Sequence, residues 1–299
     1  MNETRVFTLT AAAAERLAKR LREALPTAEW RNVAHARFAV KADGANLVCY
    51  SSGKVVVQGR SLEAFCARFL ADSVAATADP ALAGMPFDGP TVGSDESGKG
   101  DYFGPLVVAA VFAEPTAGKE LAAMGVADSK TLTDLRMFPM AERIERTFDH
   151  EVRVLPPVDY NIRWNQARNV NHVLADLHVD AIAALLSRHP GGTVIVDRFG
   201  DADLIASRLR QRQATPGRLI VVPRAEAHPV VAAASIVARV HFLEGLKRCA
   251  EDAARDLHKG AGTEVDQIAR AVFRDGGEAL LRRVAKLHFA NSSRIMNGS

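Results

Sequence analysis

The chain has 299 residues, 48% of them hydrophobic, and a net charge of +3. That length supplies core for one large or two ordinary domains. The near balance of charge excludes binding through a general excess of one sign, so any nucleic-acid contact must come from local patches. The three cysteines, Cys49, Cys66 and Cys249, lie far apart with no C-x-x-C spacing. This argues against a disulfide framework or a thiolate zinc site and favours a reducing cytoplasm.

Glu3, Arg5, Glu15 and Arg16 interrupt the region where a signal peptide needs an apolar stretch. The longest apolar runs, Gly104–Ala113 and Pro229–Ala238, reach about half of the ~20 residues that a spanning helix requires. Neither secretion nor membrane insertion is expected.

In chain order, Thr10 can cap a helix over Ala11–Leu25, where Ala14, Leu17, Ala18 and Leu21 share one face. Three runs with strand character follow: Arg37–Lys41, Ala45–Tyr50 and Lys54–Gln58. Asp43-Gly44 and Ser52-Gly53 separate them, which are hairpin turn pairs. A small antiparallel sheet is expected, then a helix over Leu62–Thr77. Asp79–Pro90, rich in proline and glycine, reads as a linker. The domain division is therefore 1–80, a linker over 81–90, and 91–299.

Beyond the linker, strands alternate with helices. Thr91–Gly93 leads into an acidic loop, and Pro105–Phe112 is a continuous apolar run of the kind buried on both faces of a central sheet. Helices are predicted near Thr133–Thr147, Asn165–Ser187 and Val230–Ala254, with strands at His150–Leu155, Thr193–Val196 and Leu219–Val222. The pattern defines an α/β domain.

The chemistry concentrates in the segment Gly93–Pro105. Adjacent Asp95 and Glu96 at the edge of a central sheet would repel each other and lose hydration, which a divalent cation relieves. Asp197 ends a second apolar strand, and strand ends in open α/β sheets collect ligand sites. Oxygen ligands without His or Cys favour Mg²⁺ or Mn²⁺ over Zn²⁺. Plainer readings are a solvated turn for Asp95-Glu96 and a helix N-cap for Asp197. Gly93, Gly98 and Lys99 also satisfy the start of a phosphate-binding P-loop, but Gly100 stands where Ser or Thr should hold Mg²⁺, and a strand rather than a helix follows.

The run GSDESGKGDYFGPLVVAAV, residues 93–111, resembles the type 2 ribonucleases H, and specifically ribonuclease HIII. The resemblance continues through Asp128-Ser129-Lys130, Tyr160-Asn161, Asp197-Arg198-Phe199, Arg224-Ala225-Glu226, Ala232–Arg239 and Lys286–Asn291. Tyr50–Gly59 resembles the TBP-like substrate-binding domain that distinguishes ribonuclease HIII from ribonuclease HII.

The resemblance implies a ribonuclease H-like mixed sheet with flanking helices, preceded by a small α+β TBP-like domain. It implies an endonuclease that hydrolyses the RNA strand of an RNA–DNA hybrid and leaves 5′-phosphate and 3′-hydroxyl ends; nothing in the sequence requires more than a monomer. Asp95, Glu96 and Asp197 would bind the metal, and Asp201 would be the fourth acid; Asp101, Asp203 and Glu244 are the neighbouring alternatives. Gly98, Lys99 and Gly100 would approach the ribose 2′-OH that separates RNA from DNA, and Ser129 and Lys130 would contact phosphate. Lys41, Lys54 and Arg60 are candidate hybrid contacts in the first domain. A nucleic-acid-binding protein without catalysis and a P-loop NTPase are the competing readings.

Overall fold

The computed structural model describes residues 3–9, 11–51, 53–59, 62–70, 87–126 and 134–296. The chain divides into two compact units, Met1–Gly84 and Met85–Ser299.

In the first unit, strands β1 (Glu3–Thr8), β2 (Glu29–Arg31), β3 (Ala36–Ala42), β4 (Ala45–Tyr50) and β5 (Lys54–Gly59) form one antiparallel sheet in the order β1-β5-β4-β3-β2. Asp43 and Gly44 both take positive φ, 49° and 73°, as the tight hairpin between β3 and β4 demands. Alternation along β4 buries Ala45, Leu47 and Cys49 against helices α1 (Ala11–Ala24) and α2 (Leu62–Phe69). The opposite face carries polar groups, with Lys41, Asn46 and Gln58 in register across three strands. Sequence patterning missed β1 and the short β2. The expected helix after Leu62 is described as far as Phe69, and its remainder, the cap at Thr10 and most of the linker lie outside the described residues.

The second unit is built on a mixed sheet of β6 (Thr91–Ser97), β7 (Leu106–Ala113), β8 (His150–Leu155), β9 (Thr193–Asp197) and β10 (Arg218–Val222), in the order β10-β9-β6-β7-β8. β6 runs parallel to β9 and antiparallel to β7. Every residue of β7 is buried, as its unbroken apolar sequence predicts. Helices α3 (Gly118–Met124), α4 (Asp134–Thr147), α8 (Pro229–Ala253) and α9 (Thr263–Val284) build the core on one sheet face. On the other, α5 (Pro157–Ala167), α6 (Val170–Arg188) and α7 (Ala202–Gln211) enclose a second core. A last helix, α10, spans Ala290–Met296. By length and composition α6 and α8 could cross a membrane, yet both are core helices here, with Leu174, Ile182, Ala233 and Val237 fully or almost fully enclosed.

Two predicted boundaries are corrected. The acidic pair does not sit in a loop after Gly93, because pairing of β6 with β7 continues through Ser97. The single helix expected over Asn165–Ser187 is two: Arg168 turns left-handed (φ 52°), and the Asn169 side chain accepts from Asn171 N to cap α6 afresh.

Candidate active site

The acids converge through strand register. The parallel pairing of β6 and β9 ends with Ser94 opposite Val196, so the next step along both strands sets Asp95 beside Asp197. Alternation then assigns the faces. Gly93 and Asp95 face α8, where Ser235 hydrogen-bonds the Asp95 carboxylate; Ser94 and Glu96 face α6, where both meet His178.

Each carboxylate is held. Asp95 Oδ1 accepts from the Glu96 backbone N–H at 2.8 Å. Asp197 Oδ1 accepts from Ala225 N at 2.9 Å, a donor aimed by the left-handed Arg224 (φ 60°) before it. Glu96 Oε2 lies 3.3 Å from His178 Nε2, and the same ring's Nδ1 lies 2.8 Å from Ser94 Oγ.

The electrostatics are those of crowded anions. Burial, then the charge of Glu96, push the Asp95 carboxyl up to about 8, with Asp197 adding to the effect. Burial, Glu226 and Glu96 likewise raise Asp197. Among the described residues no three His, Cys, Asp or Glu side chains close around a single point as ligands to one ion would. The donor set is nonetheless all oxygen, partly buried and mutually repelling, which is the chemistry that a hard divalent cation relieves.

The segment between β6 and β7 is clamped. Gly98 takes φ +91°, and a Cβ there would run into the Pro105 carbonyl oxygen and stand 2.8 Å from the Phe242 ring. The fully buried Lys286 donates to the carbonyls of Gly104 at 2.6 Å, Phe103 at 3.3 Å and Pro105 at 3.4 Å, and burial pulls its amine down to about 7. Gly100 differs: a Cβ there would meet nothing within 4 Å, so the loop offers open backbone to an approaching ligand. Lys99 Nζ donates to Phe199 O at 3.3 Å and lies 5.6 Å from the Phe199 ring centre.

The remaining sequence candidates separate. Asp201 is exposed and caps α7, accepting from Asp203 N at 3.1 Å, and it lines a cleft with Asn169, Asn171, His172 and Arg210. Asp197 is therefore not the helix cap that its plainer reading suggested. Asp101 accepts from Gly260 N at 2.6 Å, and Glu244 pairs with His241 at 3.6 Å. Trp164 packs against His288, whose Nδ1 lies 3.2 Å from Tyr160 Oη. Ser129 and Lys130 lie outside the described residues. The P-loop reading fails on geometry, because the segment after Lys99 enters the strand β7 where a P-loop would enter a helix.

Sequence reasoning missed Ser235, His178 and Glu226 as parts of this site. Ser235 was visible as the lone hydroxyl in an alanine run and Glu226 as an acid beside Arg224-Ala225. An isolated histidine on an apolar helix face, as His178 is, carried no such mark.

A mixed sheet with carboxylates at the ends of two adjacent central strands defines a nuclease of the ribonuclease H-like class. Residues 92–292 match the family model described as Ribonuclease HII, and residues 4–80 match one described as a domain of unknown function (DUF3378). Ribonuclease HIII of Protochlamydia amoebophila is 34% identical over 88% of this chain and 87% of its own length. Ribonuclease HIII of Chlamydia pneumoniae is 34% identical over 98% of both. The crystal structure of Bst-RNase HIII in complex with Mn²⁺ superposes with a TM-score of 0.67 at 33% identity, covering 99% of this chain and 98% of that one. The chain belongs to the ribonuclease HIII family. It is accordingly an enzyme, a ribonuclease H that cuts the RNA strand of RNA–DNA hybrids.

Proposed function

We propose that Asp95, Glu96 and Asp197 hold Mg²⁺ or Mn²⁺ at the scissile phosphate, with Asp201 as the fourth acid. The observation that carries this reading is the pair of raised, partly buried carboxylates, Asp95 and Asp197, on neighbouring parallel strand ends. The Mn²⁺ complex of Bst-RNase HIII supports a divalent ion, and the all-oxygen donors favour Mg²⁺ or Mn²⁺ over zinc. When bound, such ions supply an activated water and stabilise the leaving 3′-oxygen.

The chain's own residues do the rest. Ser235 and the Glu96 N–H orient Asp95, the Arg224–Ala225 backbone orients Asp197, and His178 holds Glu96. Gly98, Lys99 and Gly100 present backbone toward the ribose 2′-OH, and Ser129 and Lys130 supply phosphate contacts. The polar sheet face of the first unit, with Lys41 and Lys54, adds hybrid affinity through sugars and phosphates; Arg60, the third candidate there, lies outside the described residues. A monomer suffices for this reading, and three widely spaced cysteines without a C-x-x-C fit a reducing cytoplasm.

The test is cleavage of a labelled RNA–DNA hybrid beside matched RNA and DNA duplexes, with Mg²⁺, Mn²⁺ or chelator. Only the hybrid should be cut, chelator should stop it, and Asp95→Asn should abolish it while the protein stays folded. Undiminished cleavage by Asp95→Asn would overturn the assignment of the site.

A further inference from the structure

His178 is fully enclosed in α6, within the run Leu177–Val179 that packs under the sheet. Burying an imidazole is costly unless its nitrogens find partners. Both do, and both partners belong to β6: Ser94 Oγ at 2.8 Å and Glu96 Oε2 at 3.3 Å. Ser94 Oγ in turn donates to Ala109 O of β7 at 2.9 Å, so the ring is referenced to two central strands.

The face of the same ring stacks on Phe199, with centroids 4.8 Å apart and planes 13° apart. Phe199 lies two residues beyond Asp197, and its carbonyl and ring both receive the Lys99 ammonium. One side chain thus touches the acid end of β6 edge-on and the support of the Lys99 loop face-on. A residue needed only to fill the core would not require two hydrogen-bonding edges.

We propose that His178 is a positioning residue with two separable supports, its edges fixing the Glu96 carboxylate and its face fixing Phe199 and hence Lys99. The proposal rests on the reading that Glu96 holds metal and Lys99 meets the hybrid.

The two halves separate experimentally in the full-length protein. His178→Phe keeps ring shape and stacking but removes both hydrogen bonds; Phe199→Leu does the reverse. Mn²⁺ binding without hybrid is read by calorimetry, and KM and kcat for a hybrid are read at saturating Mn²⁺. His178→Phe should weaken Mn²⁺ binding about tenfold or more and leave KM within about twofold. Phe199→Leu should raise KM about threefold or more and leave Mn²⁺ binding within about twofold, since stacking and cation–π contacts are individually modest. If His178→Phe does not fold, Ser94→Ala removes one link to the ring and should weaken Mn²⁺ binding about threefold. Wild-type Mn²⁺ binding by His178→Phe or by Ser94→Ala, or wild-type KM in Phe199→Leu, overturns this double role, as does any variant whose only change is a lower Tm. Asp95→Asn is the control: if it binds Mn²⁺ as tightly as wild type, the metal assignment itself fails; if it does not bind while His178→Phe does, only the role of His178 fails.

Discussion

Gly93 and Val231 meet backbone to backbone: a Cβ on Gly93 would stand 2.6 Å from Val231 N and from the Val230 carbonyl carbon. β6 therefore rides directly on α8, and Ser235 one turn along α8 reaches Asp95. Gly93→Ala is expected to destabilise the protein by about 1–3 kcal/mol, the usual cost of overpacking, and to lower kcat by tilting Asp95 away from Ser235. Urea unfolding and steady-state cleavage check the two effects together.

The two glycines flanking Lys99 should respond oppositely. Gly98 combines φ +91° with contacts to Pro105 and Phe242, whereas the Cβ position of Gly100 is empty. Gly98→Ala is expected to cost about 1–3 kcal/mol. Gly100→Ala is expected to leave Tm within about a degree yet raise KM for hybrid, because its new methyl group would stand where the proposed ribose contact is made. An unchanged KM in Gly100→Ala would remove that loop from the hybrid contacts.

Asp95 is held in place at a cost. Burial and the charge of Glu96 both oppose its ionisation and raise it to about 8, so at neutral pH the metal-free protein must hold Asp95 protonated, a cost that the unfolded chain does not bear. Asp95→Asn in chelator is expected to unfold a few degrees above wild type, since about 1 kcal/mol moves Tm by roughly 2–4 °C at this size. A lower Tm would mean that the Ser235 and Glu96 N–H bonds outweigh that cost.

His228 caps α8, its Nδ1 accepting from Val230 N at 3.3 Å. Burial lowers the ring from 6.5 to about 4, so the folded protein keeps it neutral while the unfolded chain protonates near 6.5. The stability contributed by this group is complete above about pH 6.5 and is lost as pH falls through about 4, up to roughly 2–3 kcal/mol. A protonated ring there would also oppose the positive end of the helix dipole. His228→Asn keeps a capping acceptor, so the gap in unfolding free energy between variant and wild type should shift in the variant's favour from pH 7 to pH 4. His288 is lowered in the same direction, and the comparison cancels its share.

The sequence made the apolar β7 and the Asp43-Gly44 hairpin plain, because each depends on local pattern alone. The end of β6 was hidden, since Asp95, Glu96 and Ser97 are poor strand formers and only the partner strand β7 extends them. The break at Arg168–Asn169 was masked by the helical spacing of apolar residues on both sides. The convergence of Asp95 with Asp197 was legible as two strand ends, but the supporting Ser235 and His178 sit on helices that reach the site only through tertiary packing.

The parallel pairing of β6 with β9 joins segments about a hundred residues apart in the chain, a contact that must wait for everything between them. During synthesis, the first two acids leave the ribosome well before the third exists. If the three acids act as proposed, a growing polypeptide cannot cut until β9 and the segments that hold its acid have been made and docked. On the same assignment, a fragment that ends before β9 is expected to leave any hybrid it meets uncut.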